Sequence, residues 1–158
     1  MAIQVGGRIP SATLNLVQDG VQAIDSAEFF AGRKVVLFAV PGAFTPTCSA
    51  KHLPGYIRHI EEFTAKGYAV ACLSVNDAFV MSAWGKSQDA PAAIQLLADG
   101  NGEFTKALGL ELDASAFGMG LRAKRFALVA DDGTVTHLFV EAPGEFSVSA
   151  AESVLASL

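Results

Sequence analysis

Cysteine, histidine and tryptophan are scarce: two, three and one in 158 residues. Two cysteines cannot build the disulfide framework of a small secreted domain, and a chain of this length needs none to support a core. His52, His59 and His137 show no ligand spacing, so no metal is expected. Charge is sparse too. Lys and Arg number 11 against 16 Asp and Glu, a net charge of −5 that gives a polyanion nothing to bind, so nucleic acid is not expected as a partner. No apolar run approaches the roughly 20 residues that span a bilayer, which removes the expectation of a membrane partner. No basic segment followed by an apolar core opens the chain, and no repeat, linker or low-complexity stretch interrupts it. The expectation is a cytoplasmic protein, in a reducing compartment where thiols are more often catalytic or redox-active than structural.

With 51% apolar residues, residues 1–158 read as one domain. Thr13 to Val17 and Val21 to Ile24 alternate in polarity around Gln18-Asp19-Gly20, a hairpin signal. Ser26 is placed to cap a short helix through Phe29 and Phe30, and the continuous apolar run Val35 to Val40 reads as a central strand. A helix beginning near Cys48 continues through Tyr56, Ile60 and Phe63 to Gly67; Pro54 inside it removes the donor for the Ala50 carbonyl and predicts a bend. Strand Tyr68 to Val75, a helix with Phe79, Val80 and Trp84 capped at Asn76-Asp77, strand Ile94 to Ala98 and a short helix from Phe104 to Leu108 follow in turn. Such alternation predicts parallel pairing with right-handed crossovers. Phe126 to Ala130 and Thr134 to Val140 flank Asp131-Asp132-Gly133, a second hairpin, and Ser149-Ala150-Ala151-Glu152 reads as a capping box for a last helix. The predicted class is α/β with a thioredoxin-like fold: a central mixed β-sheet flanked by helices, with an N-terminal β-hairpin.

Between the central strand and the long helix lies Pro41-Gly42-Ala43-Phe44-Thr45-Pro46-Thr47-Cys48, whose prolines and glycine force a turn and place Cys48 in the first helical turn. Unpaired N–H groups and the positive end of the helix dipole there favour a thiolate, the form that attacks electrophiles. A small buried hydrophobe is the competing reading for any free cysteine. Pro41, Thr45 and Cys48 form a P-x-x-x-T-x-x-C signature, and the run from Val40 to Ser49 resembles the type II, or peroxiredoxin-5-like, branch of the peroxiredoxins. His52-Leu53-Pro54-Gly55 and Ser74 to Met81 also fit that branch, and the resemblance covers almost the whole chain.

The resemblance implies a thiol-dependent peroxidase that reduces hydrogen peroxide and small alkyl hydroperoxides through a sulfenic acid at Cys48. Charge builds on the leaving oxygen, so donors are needed there in advance. By itself Thr45 reads as a helix cap before it reads as a peroxide ligand; the resemblance implies that its hydroxyl binds peroxide oxygen, and that Pro41, otherwise a turn former, shields the sulfur. Arg122-Ala123-Lys124-Arg125 reads alone as a solvated strand end, but the resemblance selects Arg125 as the active-site cation, with Arg122 second. His52, one helical turn past Cys48, is a candidate supporting residue, as is Phe44; Phe44, Leu53 and Phe117 are candidate apolar walls.

Cys72 sits mid-run in a strand, where a buried core thiol is the default, and the resemblance makes it a candidate resolving cysteine. The late resolving cysteine of animal peroxiredoxin-5 is missing from Glu145 to Ser149. No bound cofactor is therefore expected, only an external thiol reductant, either glutathione with glutaredoxin or thioredoxin. A homodimer is implied as well, with Phe79, Trp84 and the segment from Ala116 to Gly120 as interface candidates. Two further functions stay open: a peroxide-sensing redox switch acting through a partner protein, and thiol-disulfide exchange on proteins, disfavoured because Thr45 stands where a second cysteine would release the mixed disulfide.

Overall fold

The computed structural model describes residues 2–158. In chain order the elements are β1 (Thr13–Val17), β2 (Val21–Asp25), α1 (Ser26–Phe30), β3 (Lys34–Val40), a π-helical turn (Cys48–His52), α2 (Leu53–Ala65), β4 (Tyr68–Ser74), α3 (Ala78–Ser87), β5 (Ile94–Ala98), α4 (Glu103–Leu108), β6 (Glu111–Asp113), β7 (Leu121–Ala123), β8 (Phe126–Asp131), β9 (Thr134–Val140) and α5 (Ala151–Leu155). Seven strands form one sheet in the order β2-β1-β5-β4-β3-β8-β9. β3, β4 and β5 pair in parallel, while β1 and β8 add antiparallel to either side. This is the mixed, thioredoxin-like sheet that the alternation predicts.

Two layers of side chains leave β3. Val36, Phe38 and Val40 enter the core shared with Cys48, Tyr56, Trp84 and Val154, and Val35, Leu37 and Ala39 enter the core shared with Phe30, Phe104 and Leu108. A strand covered on both faces has no place for alternating polar residues, which is why its sequence is continuously apolar. The end of β3 is therefore a rigid platform, and the chain leaves it directly into the Pro41–Thr47 turn.

Four local expectations are corrected. Asp25, not Ser26, caps α1, its carboxylate accepting from the Glu28 N–H at 3.1 Å; the Ser26 hydroxyl instead donates to the Pro10 carbonyl. The capping box at Ser149 does not form, because its hydroxyl is taken by Glu141 and Ala150 precedes α5 without a side-chain cap. Trp84, an expected interface residue, is wholly buried, as is Leu53, an expected pocket wall. Both belong to the core under the cysteine turn. The two-stranded sheet β6-β7, closed by Ser115–Phe117, went unanticipated because three-residue strands carry too little pattern to read.

Pro54 does disturb its helix, as a π-helical turn immediately before it. The Leu53 N–H reaches back five residues to the Cys48 carbonyl, and proline then occupies the first turn of α2, where a missing N–H costs nothing.

Candidate active site

Cys48 enters the site from the end of β3 through a turn that is pinned at both edges. The Ala43 N–H donates to the Asn76 side-chain oxygen at 2.9 Å, and Arg122 reaches the Pro41 carbonyl at 3.4 Å and the Met119 carbonyl at 3.0 Å. Gly42 is crowded: a Cβ there would lie 3.0 Å from Thr45 Cγ2 and 3.1 Å from an Arg122 nitrogen, so both side chains would have to give way. Phe44 adopts a left-handed conformation, φ +65°, uncommon for a bulky residue, and its ring is half exposed. The Thr45 carbonyl accepts from the Ser49 N–H, as a capping residue's does, but its hydroxyl donates to the Gly42 carbonyl at 2.7 Å rather than capping the helix with its oxygen. The turn thus delivers Pro41, Thr45 and Cys48 to one corner.

Arg125 comes to the same corner from the opposite side of the chain. It lies between β7 and β8, and its Nη2 donates to Cys48 Sγ at 3.1 Å. Its Nη1 donates to His52 Nδ1 at 2.8 Å, so that ring nitrogen carries no proton and Nε2–H donates to the Ser149 carbonyl at 3.1 Å. Burial first, and the Arg125 charge second, pull the His52 pKa down to about 3, so the imidazole is neutral at ordinary pH. Phe38 and Tyr56 stack at 3.9 Å beneath it, and Tyr56 donates its hydroxyl to the same Ser149 carbonyl at 2.8 Å. On the far side Trp84 donates its Nε1–H to the Ser49 hydroxyl at 3.0 Å, fastening the residue next to Cys48 to the core.

Of the residues singled out in the sequence, Cys48, His52 and Arg125 are joined by hydrogen bonds, and Pro41 and Thr45 belong to the turn that leads into Cys48. Arg122 supports the turn instead. Cys72 faces the same core from the middle of β4, paired with Phe38 and Leu96, and both cysteines are free and buried. Burial, then the neighbouring Cys48, pushes the Cys72 thiol well above its ordinary pKa. Glu141 escaped the sequence reading, and Ser149 figures there only as a cap for the last helix. Glu141 follows β9, is buried, and accepts from the Ser149 hydroxyl at 2.7 Å and from the Ser147 and Ser149 N–H groups at 2.7 and 2.9 Å. Its one sequence signal is an acid placed between an apolar strand and Ala-Pro-Gly.

The sulfur of Cys48 is held by a guanidinium at the start of a helix, two features that favour a thiolate over a thiol. The redoxin family model matches residues 4–155. The chain belongs to the peroxiredoxins. It is 48% identical to peroxiredoxin-2B of Arabidopsis thaliana, covering 99% of this chain and 98% of that one, and 53% identical to the chloroplastic peroxiredoxin-2E-2 of Oryza sativa subsp. japonica, covering 99% and 72%. The crystal structure of reduced Prx3 from Vibrio vulnificus in complex with hydrogen peroxide superposes with a TM-score of 0.94 at 55% identity, covering 98% of each chain. As a peroxiredoxin of the type II, peroxiredoxin-5-like branch, the protein is a thiol-dependent peroxidase.

Proposed function

We propose that Cys48 is the nucleophile, and the observation that carries this reading is the 3.1 Å hydrogen bond from Arg125 to its sulfur. The thiolate attacks one oxygen of the hydroperoxide, the O–O bond breaks, and the other oxygen leaves as hydroxide or alkoxide while Cys48 becomes a sulfenic acid. Arg125 neutralises the thiolate before attack and the oxyanion as it forms, in a site closed to bulk water where such a contact is strongest. Because the Thr45 hydroxyl donates its hydrogen bond to the Gly42 carbonyl, its lone pairs are left to accept a hydrogen bond from the peroxide O–H and align the O–O bond with sulfur. Pro41 adds a wall without a competing donor. Hydrogen peroxide and small alkyl hydroperoxides are the substrates of this reading, and the Vibrio relative in complex with hydrogen peroxide supports that choice.

Recovery of the thiol uses an external reductant. Cys72 lies deep in β4, and a disulfide with Cys48 needs their Cα atoms within about 7 Å in a suitable orientation, which for a mid-strand thiol means prior opening of the core. Glutathione with glutaredoxin, or thioredoxin, attacks the sulfenic acid when the π-helical turn opens. Two free, buried thiols suit a reducing compartment such as the cytoplasm. Phe79 and Phe117, 81% and 82% exposed, together with the exposed Phe44, support a homodimer. The test is consumption of hydrogen peroxide and of tert-butyl hydroperoxide with each reductant: turnover by the parent and none by Cys48→Ser is expected. Turnover by Cys48→Ser would reject the assignment.

A further inference from the structure

Arg125 carries the charge that the reaction uses, yet among the described residues no carboxylate lies within ion-pair distance of it. Its guanidinium is aimed by a neutral acceptor, His52 Nδ1. A carboxylate in that place would spend part of the positive charge; a neutral imidazole directs the donor and leaves the charge for sulfur and oxyanion. That economy has a weakness. A neutral imidazole holds a guanidinium only while its ring stays in one orientation and one tautomer, so whatever fixes the ring fixes the arginine.

The ring is fixed from the loop after β9. His52 Nε2–H donates to the Ser149 carbonyl, and Phe146 of the same loop packs edge-on against the imidazole at 5.1 Å and under the Arg125 guanidinium at 5.9 Å. The loop is exposed along Ala142–Glu145 and at Ser147–Val148, and would not hold its shape on apolar contacts alone. The Tyr56 and Ser153 hydroxyls donate to its Ser149 and Ser147 carbonyls, and one carboxylate oxygen takes up its donors: Glu141 Oε2 gathers the Ser147 N–H, the Ser149 N–H and the Ser149 hydroxyl. Burying that carboxylate is costly, and three donors to a single charged oxygen compensate. The Glu141 N–H also donates to the Arg125 carbonyl at 3.0 Å. Arg125, Glu141, Ser149 and His52 therefore close a ring of hydrogen bonds that begins at the arginine's main chain and returns to its guanidinium.

We propose that Glu141 is a positioning residue for peroxide reduction: by clamping Ser149 it fixes the His52 ring, and through that ring it sets the approach of the Arg125 guanidinium to Cys48 Sγ. The proposal rests on the role assigned to Arg125. It places in the loop of residues 144–149 control over the reactivity of a sulfur two side chains away, through His52 and Arg125.

A double-mutant cycle separates positioning from mere support. The rate of Cys48 oxidation by excess hydrogen peroxide is read by quenching, trapping the sulfenic acid and weighing the product, for the parent, Glu141→Ala, Arg125→Ala and the double variant. Glu141→Ala is expected to slow oxidation by about 10-fold or more in the parent and by less than about twofold once Arg125 is gone, because the clamp then has nothing to aim. Equal losses in the two backgrounds, or none in either, would overturn the proposal. If Arg125→Ala alone leaves the rate unchanged, the role of Arg125 fails first; if Arg125→Ala slows oxidation and Glu141→Ala does not, only the clamp fails. Should Glu141→Ala not fold, Glu141→Gln serves, with a loss of about threefold expected in the parent background and the same absence of effect on Arg125→Ala. Nitrogen shifts of His52 give a second readout: the parent shows a single Nε2–H tautomer, Glu141→Ala a mixture, and an unchanged tautomer in Glu141→Ala would contradict the route through the ring.

Discussion

Cys48 and Cys72 are both free, both without solvent exposure and both in one core cluster, yet their surroundings differ in kind. Cys48 sits at the start of a helix, on a turn whose Thr45 and Pro41 face the same corner, with a guanidinium nitrogen 3.1 Å from its sulfur. Cys72 sits in the middle of a parallel strand between Phe38 and Leu96, where burial holds its proton on. Burial alone therefore does not make a thiol inert. What separates them is whether the surroundings offer donors to sulfur, and a strand interior spends its donors on the ladder.

The largest expected effect falls on the first environment. Arg125→Met should slow the oxidation of Cys48 by about 100-fold, close to 2.7 kcal/mol, because it removes the cation on the sulfur while keeping much of the side chain's bulk. Stopped-flow mixing with hydrogen peroxide measures it, and a loss under about threefold would erase the distinction drawn between the two thiols. Thr45→Val keeps the shape and deletes the hydroxyl; a loss of about 10-fold is expected in the same assay, with little change in thermal stability because the Gly42 carbonyl keeps the residue 45 N–H as a donor.

Cys72→Ala should do the reverse. Peroxidase turnover should stay within about threefold of the parent, whereas the melting temperature should fall, since deleting a packed core atom costs about 1 kcal/mol. A variant that lost turnover with its reductant but oxidised normally would instead make Cys72 the resolving thiol.

Stability against pH sharpens the comparison further. His52 binds its proton near pH 3 in the folded protein against 6.5 when unfolded, so below 6.5 the unfolded chain takes up the proton first and stability falls as pH drops toward 3. Glu141 adds to this at the acid end. Burial raises its pKa, but the Ser149 hydroxyl and the N–H groups of residues 147–149 outweigh burial and hold it below 4.5, so its contribution is present above 4.5 and lost below. At the other end Cys72 and Tyr56, both pushed up chiefly by burial, keep their protons when the unfolded chain has lost them, so stability falls as pH rises above 9. Chemical denaturation across pH should show a plateau between about 6.5 and 9. Cys72→Ala should flatten the alkaline limb and His52→Gln the acid one; a limb unmoved by its variant would contradict the assignment.

Much of this was legible in the sequence, and the parts that were not share a cause. The Pro41, Thr45, Cys48 spacing located the turn because prolines and a glycine announce it, and the apolar run of β3 announced the platform beneath. Arg125 was separable from Arg122 only by resemblance, since both stand in one basic cluster and only the fold turns one guanidinium to sulfur and the other to the Pro41 carbonyl. Glu141 was invisible because it acts through the main chain of Ser147 and Ser149, and a carbonyl or an N–H has no letter in the sequence. Ser149 misled for the same reason: Ser-x-x-Glu is a good local cap, but the tertiary carboxylate outbids the helix for the hydroxyl. Trp84 looked like an interface aromatic until Ser49 supplied a buried partner for its N–H.

The central claim, that Arg125 and the turn make Cys48 reactive while β4 keeps Cys72 silent, is tested most directly by treating the reduced protein with one equivalent of hydrogen peroxide in the presence of a sulfenic-acid trap and mapping the peptides. The account predicts the trapped adduct on Cys48 and unmodified Cys72. An unmodified Cys48, or an adduct on Cys72, would contradict it.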